Sequence, residues 1–318
     1  MVSVGKTTRP PRKSTSTASS RACRSAGPSK PICSRFTRIL PFFGIHPSMP
    51  DLIASRKNQL FRHLQKLDRD PDTRRQEGKF LVWGFKLVEE ALHQPGRVVQ
   101  LVLGETASVQ PSLKSFLRGA RRHGIPVAVL SDSLLNQLAP GAADQGILAL
   151  FRMAHGALES LLGAARRPLV LVADRVQDPG NLGSLVRLGG AASVTALLTT
   201  AGTADPYHTR AVRASAGSIL HLPTCPFPDP DEWRRLSRAQ SMRTAVALAR
   251  GGVPPHEADL RGALAVVVGN EGEGVSRERV EAADLRLTVA LGGSVESLNV
   301  AAATAIILYE AFRQRVAP

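Results

Sequence analysis

Residues 168–190 read PLVLVADRVQDPGNLGSLVRLGG. An apolar run, Leu169–Ala173, reaches Asp174 without a polar break, then turns through a Pro-Gly loop into a helix. A Val/Leu strand with no alternation is buried on both faces, and a strand that feeds a helix is the unit of a parallel α/β sheet. The same order continues downstream. "VTALLTT" at 194–200 predicts a strand and residues 206–219 a helix, and a helix at 230–238 leads into a strand at 241–249. "ALAVVVGN" at 263–270 and "LRLTVAL" at 285–291 predict two more strands, and 298–315 a closing helix.

Upstream lies a smaller alternating series. Residues 55–67 carry Leu60, Phe61, Leu64 and Leu67 near helical spacing, with basic residues on the other faces. "DRDPDTRRQEGKF" at 68–80 reads as a charged loop. Strands are expected at 80–84, 98–104, 126–131 and 146–151, and helices at 85–96, 111–123 and 133–138. The chain therefore divides into a tail at 1–50, a small α/β domain at 51–153, a linker or linking helix at 154–167, and a larger α/β domain at 168–318.

Composition narrows the function classes. At 43% hydrophobic and 4% aromatic, the 318-residue chain can bury a core, one built of Leu, Val, Ala and Ile. No apolar run is long enough to cross a bilayer, so no membrane role is expected. Cys23, Cys33 and Cys225 lack metal-ligand spacing, which argues against a zinc site or a disulfide framework and suits a reducing compartment such as the cytoplasm. The net charge is +15, but residues 1–50 hold nine Lys/Arg and no Asp or Glu; the rest of the chain is +6. Three readings of this Arg/Ser-rich tail stay open: an arm attracted to RNA, a transit peptide to a mitochondrion or other organelle, or sequence upstream of a true start at Met49.

Three stretches carry chemistry. In the first, Asn181, Gly183 and Arg187 are spaced N-x-G-x-x-x-R at a helix start, where backbone N–H groups and an arginine can hold an anion; a capped helix with a surface arginine is the plain alternative. In the second, "VVVGNEGEGVS" at 266–276, a buried strand runs into Gly269, Asn270, Glu271, Gly272 and Gly274. The spacing is neither the dinucleotide fingerprint nor a P-loop. In the third, Ser297, Leu298 and Asn299 open the last helix behind Gly292-Gly293, as caps or as a ligand-facing wall.

In this order, the three stretches resemble the motifs of the SpoU (TrmH-like) RNA 2'-O-ribose methyltransferases of the SPOUT superfamily. The segment 210–223, with Ser215 and Gly217, is similar as well, and "GKFLVWGFKLVEEAL" and "DQGILAL" resemble segments of the family's substrate-binding domain. Trp83 departs from the pattern, which often has Glu before the Gly. The resemblance implies a ribosomal-protein-like α/β substrate-binding domain followed by a SPOUT α/β domain with a C-terminal trefoil knot. It implies S-adenosyl-L-methionine (AdoMet) as cofactor, held on Gly269, Val289 and Leu298, with Thr200, Asn270 and Gly274 as further contacts. Arg187, Glu271, Asn181, Ser297 and Asn299 become the expected catalytic set. Arg213, Lys57, Arg62, Arg74 and Arg75 become expected RNA contacts, with Lys66, Arg121 and Arg122 beside them. The implied partners are RNA, ribosomal RNA first and transfer RNA second, and a second copy of the chain. A homologue that binds RNA without catalysis is the reading from a different class.

Overall fold

In the computed structural model, residues 51–138, 145–154, 156–293 and 296–316 are described; the readings of the tail fall on residues 1–50, outside them. The first sheet draws on β1 (Leu52–Ile53), α1 (Gln59–Arg69), α2 (Pro71–Glu77), β2 (Lys79–Trp83), α3 (Phe85–Leu92), β3 (Val98–Gly104), α4 (Glu105–Ser108), α5 (Lys114–Arg122), β4 (Val127–Leu130), α6 (Asp132–Leu138) and β5 (Ile147–Arg152). Its strand order is β1-β4-β3-β5-β2. β1, β4 and β3 run parallel, while β5 is antiparallel to both β3 and β2.

After α7 (Leu158–Ala164) come β6 (Leu169–Asp174), α8 (Pro179–Ala191), β7 (Ala196–Thr199), α9 (Thr209–Ala214), β8 (Thr224–Pro226), α10 (Pro230–Ala239), β9 (Arg243–Ala247), β10 (Leu264–Gly269), α11 (Arg277–Glu281), β11 (Leu285–Leu287) and α12 (Val300–Val316). They build a sheet of order β11-β9-β10-β6-β7-β8, parallel throughout. β6 and β10 are the central pair, in register from Leu169 opposite Leu264 to Asp174 opposite Gly269. Both faces are covered, as the unbroken apolar runs require. Leu171, Ala173, Val266 and Val268 pack with Ile307, Leu308 and Ala311 of α12. Val170, Val172, Ala265 and Val267 pack with Leu162 of α7 and Leu236 of α10.

The two sheets share one apolar core, which runs from Phe80, Leu101 and Phe151 to Leu171, Val186 and Ile307. The rings of Phe80 and Tyr207 meet across the junction at 4.8 Å between centroids. A polar clasp reinforces it. Arg74, only 2% exposed, donates from Nε to Asp205 Oδ2 at 2.7 Å and pairs with it from Nη2 at 2.6 Å. Its remaining donor Nη1 reaches the carbonyls of Leu67 and Asp68, and Asp68 accepts from the Thr209 hydroxyl.

Several expectations change here. The stretch 68–80 is not a loop throughout: Asp70 caps α2, Pro71 opens it, and Gly78 closes it at φ +62. Its charge hid these capping signals. Arg74, expected at an RNA phosphate, is instead buried in the junction. The helix expected over 206–219 stops at Ala214, because Ala216 and Gly217 take left-handed backbone at φ +48 and +98. β11 is shorter than 285–291, and the segment 154–167 does contain a helix.

Breaking a buried pair on one side leaves an uncompensated charge, which costs about 3–5 kcal/mol. Arg74→Ala is therefore expected to lower the free energy of unfolding by about that much, read from urea titrations. Arg75→Ala, whose pair with Asp72 is exposed, should change it by less than about 1 kcal/mol.

Candidate functional site

In parallel α/β sheets, ligands bind beyond the carboxyl ends of the strands. The flush register of β6 and β10 brings their following loops to the same edge. A Cβ on Gly269 would lie 2.2 Å from the carbonyl carbon of Gly274, so only glycine lets loop 270–274 fold back this closely. Within that loop, Asn270 and Gly274 exchange two backbone hydrogen bonds of 3.0 Å, and Gly274 sits at φ +71. The Asn270 side chain completes the turn. Its Oδ1 accepts from the N–H groups of Gly272 and Glu273, and its Nδ2 donates to the Arg175 carbonyl.

Asp174, at the end of β6, anchors the next turn. It is 2% exposed, accepts from the Ser276 N–H at 2.8 Å and the Thr200 hydroxyl at 3.1 Å, and pairs with Arg279 at 3.2 Å. Burial alone would raise its carboxyl; the Ser276 and Thr200 hydrogen bonds and the Arg279 charge outweigh burial and hold it below the ordinary carboxylate value. Arg175, at φ +57, pairs with Glu273 at 2.7 Å and ties the two loops together.

Three side chains from separate parts of the chain form a chain of hydrogen bonds at this edge. Asn299 Nδ2 donates to Asn181 Oδ1 at 3.1 Å, and Asn181 Nδ2 donates to Glu271 Oε1 at 2.7 Å. The helix ends supply the rigidity. Asp178 caps α8 by accepting from the Asn181 N–H, and is itself paired with Arg210 at 3.0 Å. Asn299 Oδ1 accepts from the Ala301 N–H at the start of α12. Gly183 lets α8 approach α9: a Cβ there would stand 2.3 Å from the Ala211 carbonyl oxygen.

Beside this chain opens a cleft of about 480 Å³, within the range of small-molecule sites. Leu248, Val268, Gly269, Val289, Leu298 and Ile307 give it apolar walls, and Arg250, Glu271 and Glu296 supply its charges.

The chain matches the model of the SpoU rRNA methylase family over residues 168–309, and that of the RNA 2'-O ribose methyltransferase substrate-binding domain over 81–156. It is 34% identical over 257 residues to the 23S rRNA (guanosine(2553)-2'-O)-methyltransferase RlmP of Bacillus subtilis, covering 81% of this chain and 97% of that protein. The chain belongs to the SpoU family. The 23S rRNA (guanosine-2'-O-)-methyltransferase RlmB of Xanthomonas campestris is 32% identical over 238 residues, covering 73% of this chain and 96% of its own length. Among solved structures, the SpoU methyltransferase AviRb of Streptomyces viridochromogenes in complex with AdoMet superposes with a TM-score of 0.74 at 27% identity, over 82% of this chain and 99% of that one.

Of the residues expected at a SpoU site, Gly269, Asn270, Glu271, Gly274, Val289, Ser297 and Leu298 line the cleft. Asn181 and Asn299 join it through Glu271. Arg187 lies outside the lining, exposed on α8. Thr200 does not line the cleft; its hydroxyl is held by Asp174 and receives the Arg175 N–H. Lys57, Arg62, Arg75 and Arg213 are exposed. Sequence reasoning missed Asp174, Asp178 and Arg250. Asp178 had a signal, an acidic residue directly before a proline at a helix start. Asp174 had none, because its partners Thr200, Ser276 and Arg279 lie far away in the chain, and Arg250 had none, because its place on the cleft wall depends on how β9 pairs with β10.

Asp174→Asn removes the carboxylate from Arg279 and Ser276, and the expected loss is about 2 kcal/mol at neutral pH. The folded carboxyl titrates below its ordinary value of 3.8. Its stabilisation is thus complete above that pH and disappears as pH falls through the folded value. Unfolding midpoints of the wild type and Asp174→Asn should differ at pH 7 and converge in acid.

Proposed function

We propose that this protein transfers a methyl group from AdoMet to a ribose 2'-hydroxyl of ribosomal RNA. The observation that carries the proposal is the hydrogen-bond chain Asn299–Asn181–Glu271 at the edge of a cleft whose walls suit the cofactor. Leu248, Val289, Leu298 and Ile307 provide a slot for a purine, and the glycines of 269–274 leave backbone groups open to a ribose. The names of the relatives support ribosomal RNA over transfer RNA. An intact site argues against a role in RNA binding alone.

When bound, AdoMet supplies an electrophilic sulfonium methyl. The residues of the chain have to orient the hydroxyl and assist loss of its proton. Asn181 holds Oε1 of Glu271, which leaves Oε2 to accept a hydrogen bond from the ribose hydroxyl. Asn299 fixes the Asn181 amide, so the orientation of Glu271 is set by two helix ends. Ser297 adds a hydroxyl on the cleft wall. Arg187 cannot act as a base, since a guanidinium stays protonated. Its role is to hold the phosphate beside the target ribose and to stabilise the developing alkoxide. Lys57, Arg62, Lys66, Arg75, Arg121, Arg122 and Arg213 give exposed positive charge to the RNA backbone.

Two assembly features belong to the same reading. Ile306, Tyr309, Phe312 and Val316 are exposed at intervals of three or four residues, an apolar stripe along α12 that suits a second copy of the chain. The end of α12 is clasped by the loop between β9 and β10: Gln314 bonds Ala258 and Leu260, and Arg315 bonds Leu260 and Gly262. Such a clasp supports a backbone threaded as a trefoil knot. The reaction belongs in the cytoplasm, with its RNA substrate; among the described residues no helix is long and apolar enough to cross a membrane.

Glu271→Gln and Arg187→Ala are each expected to slow methyl incorporation into ribosomal RNA by about a hundredfold or more, with unchanged melting. Full activity in both variants rules out these roles. The double variant Ile306→Glu/Tyr309→Glu should run as a monomer in light scattering where the wild type runs as a dimer.

A further inference from the structure

Arg250 has no place in the hydrogen-bond chain just described, yet it lies on the wall of the cleft. It follows β9, at the same edge of the sheet as loop 270–274. The backbone behind it is fixed. Gly251 sits at φ +82, and a Cβ on Gly252 would stand 2.6 Å from the Arg286 carbonyl oxygen. Gly252 donates to the Thr288 hydroxyl at 2.9 Å, and Val253 to the Arg286 carbonyl at 2.9 Å. Among the described residues, Arg250 makes no hydrogen bond or ion pair, in contrast to Arg175, Arg210 and Arg279, each of which pairs with a carboxylate.

The charges lining the cleft are one arginine and two glutamates, Arg250, Glu271 and Glu296. AdoMet carries two positive groups, the sulfonium and the ammonium, and one carboxylate. The signs are complementary group for group. The carboxylate has one cationic partner on the wall, and a guanidinium binds carboxylates through two parallel hydrogen bonds.

We propose that Arg250 is the residue that binds the carboxylate of the cofactor's amino-acid end. The assignment rests on the methyltransferase reading and adds a determinant of cofactor specificity to it. Arg250 thereby places the amino-acid end at the β9 edge, which leaves the purine to the apolar slot and the sulfonium to the side of Glu271.

The test is calorimetric and uses the full chain without RNA. The probes are AdoMet and its decarboxylated analogue, S-adenosylmethioninamine, which differ only in the carboxylate. Wild type should bind AdoMet about tenfold to a hundredfold more tightly than the analogue, the range of one charge-assisted interaction. Arg250→Gln should lose that margin on AdoMet, keep the wild-type affinity for the analogue and melt at the wild-type temperature; Arg250→Lys should recover part of the margin. Equal binding of the two probes by wild type overturns the proposal. So does an equal loss of both in Arg250→Gln, which marks a general distortion. So does an unchanged AdoMet affinity in Arg250→Gln, which shows that the guanidinium does not meet the cofactor. Failure of wild type to bind either probe sinks the methyltransferase reading itself, and is thereby distinguished from failure of the Arg250 role alone.

Discussion

The parallel pairing of β6 with β10 governs this fold. Six residues of each strand lie in register, and the pair ends with Asp174 opposite Gly269. This brings two loops about a hundred residues apart in sequence to one edge, where each is then locked by groups of the other. Asp174 receives the Ser276 N–H, the Arg175 carbonyl receives the Asn270 amide, and the Arg175 guanidinium pairs with Glu273. A buried carboxylate is tolerable only when its lone pairs are satisfied. Asp174 meets that requirement by gathering the turns around it.

From this edge the site grows by helix capping. The N-terminus of α8 is closed by Asp178 and that of α12 by Asn299, and both caps lead into the same hydrogen-bond chain. Stability and function thus draw on the same atoms: Asn299 satisfies an orphan backbone donor with its oxygen and orients Asn181 with its nitrogen. The smaller lobe is fastened through Arg74 and Asp205 just ahead of α9, and α9 lies against α8 through Gly183. A contact made at the first sheet therefore reaches the helix that bears Asn181 and Arg187 through only two packed elements.

Much of the fold was legible in the residues. The apolar runs within 168–174 and 263–270 could be little else than buried parallel strands, and the strands found there, Leu169–Asp174 and Leu264–Gly269, agree to within a residue at each end. Errors fell where local chemistry competed with periodicity. The stretch 68–80 read as a loop because its charges masked an Asp cap, an N-terminal proline and a closing glycine. The helix expected over 206–219 ends early at Ala214, and nothing in "RASAGS" announces that Ala216 adopts a left-handed backbone.

The sequence by itself determined the α/β class, the order of the elements, the glycines that let loop 270–274 close over Gly269, and the residue types gathered in three motifs. These follow from periodicity and steric freedom, which are local properties. Only the tertiary structure decided which polar groups meet. It buried Arg74 against Asp205 instead of leaving it for RNA, took Thr200 out of the cleft to serve Asp174, and put Arg250 into the lining of the same cleft as Glu271 and Glu296. Hydrogen bonds and ion pairs depend on distances of a few ångströms between segments far apart in the chain. Those distances are set by sheet register and helix packing, and no local pattern contains them.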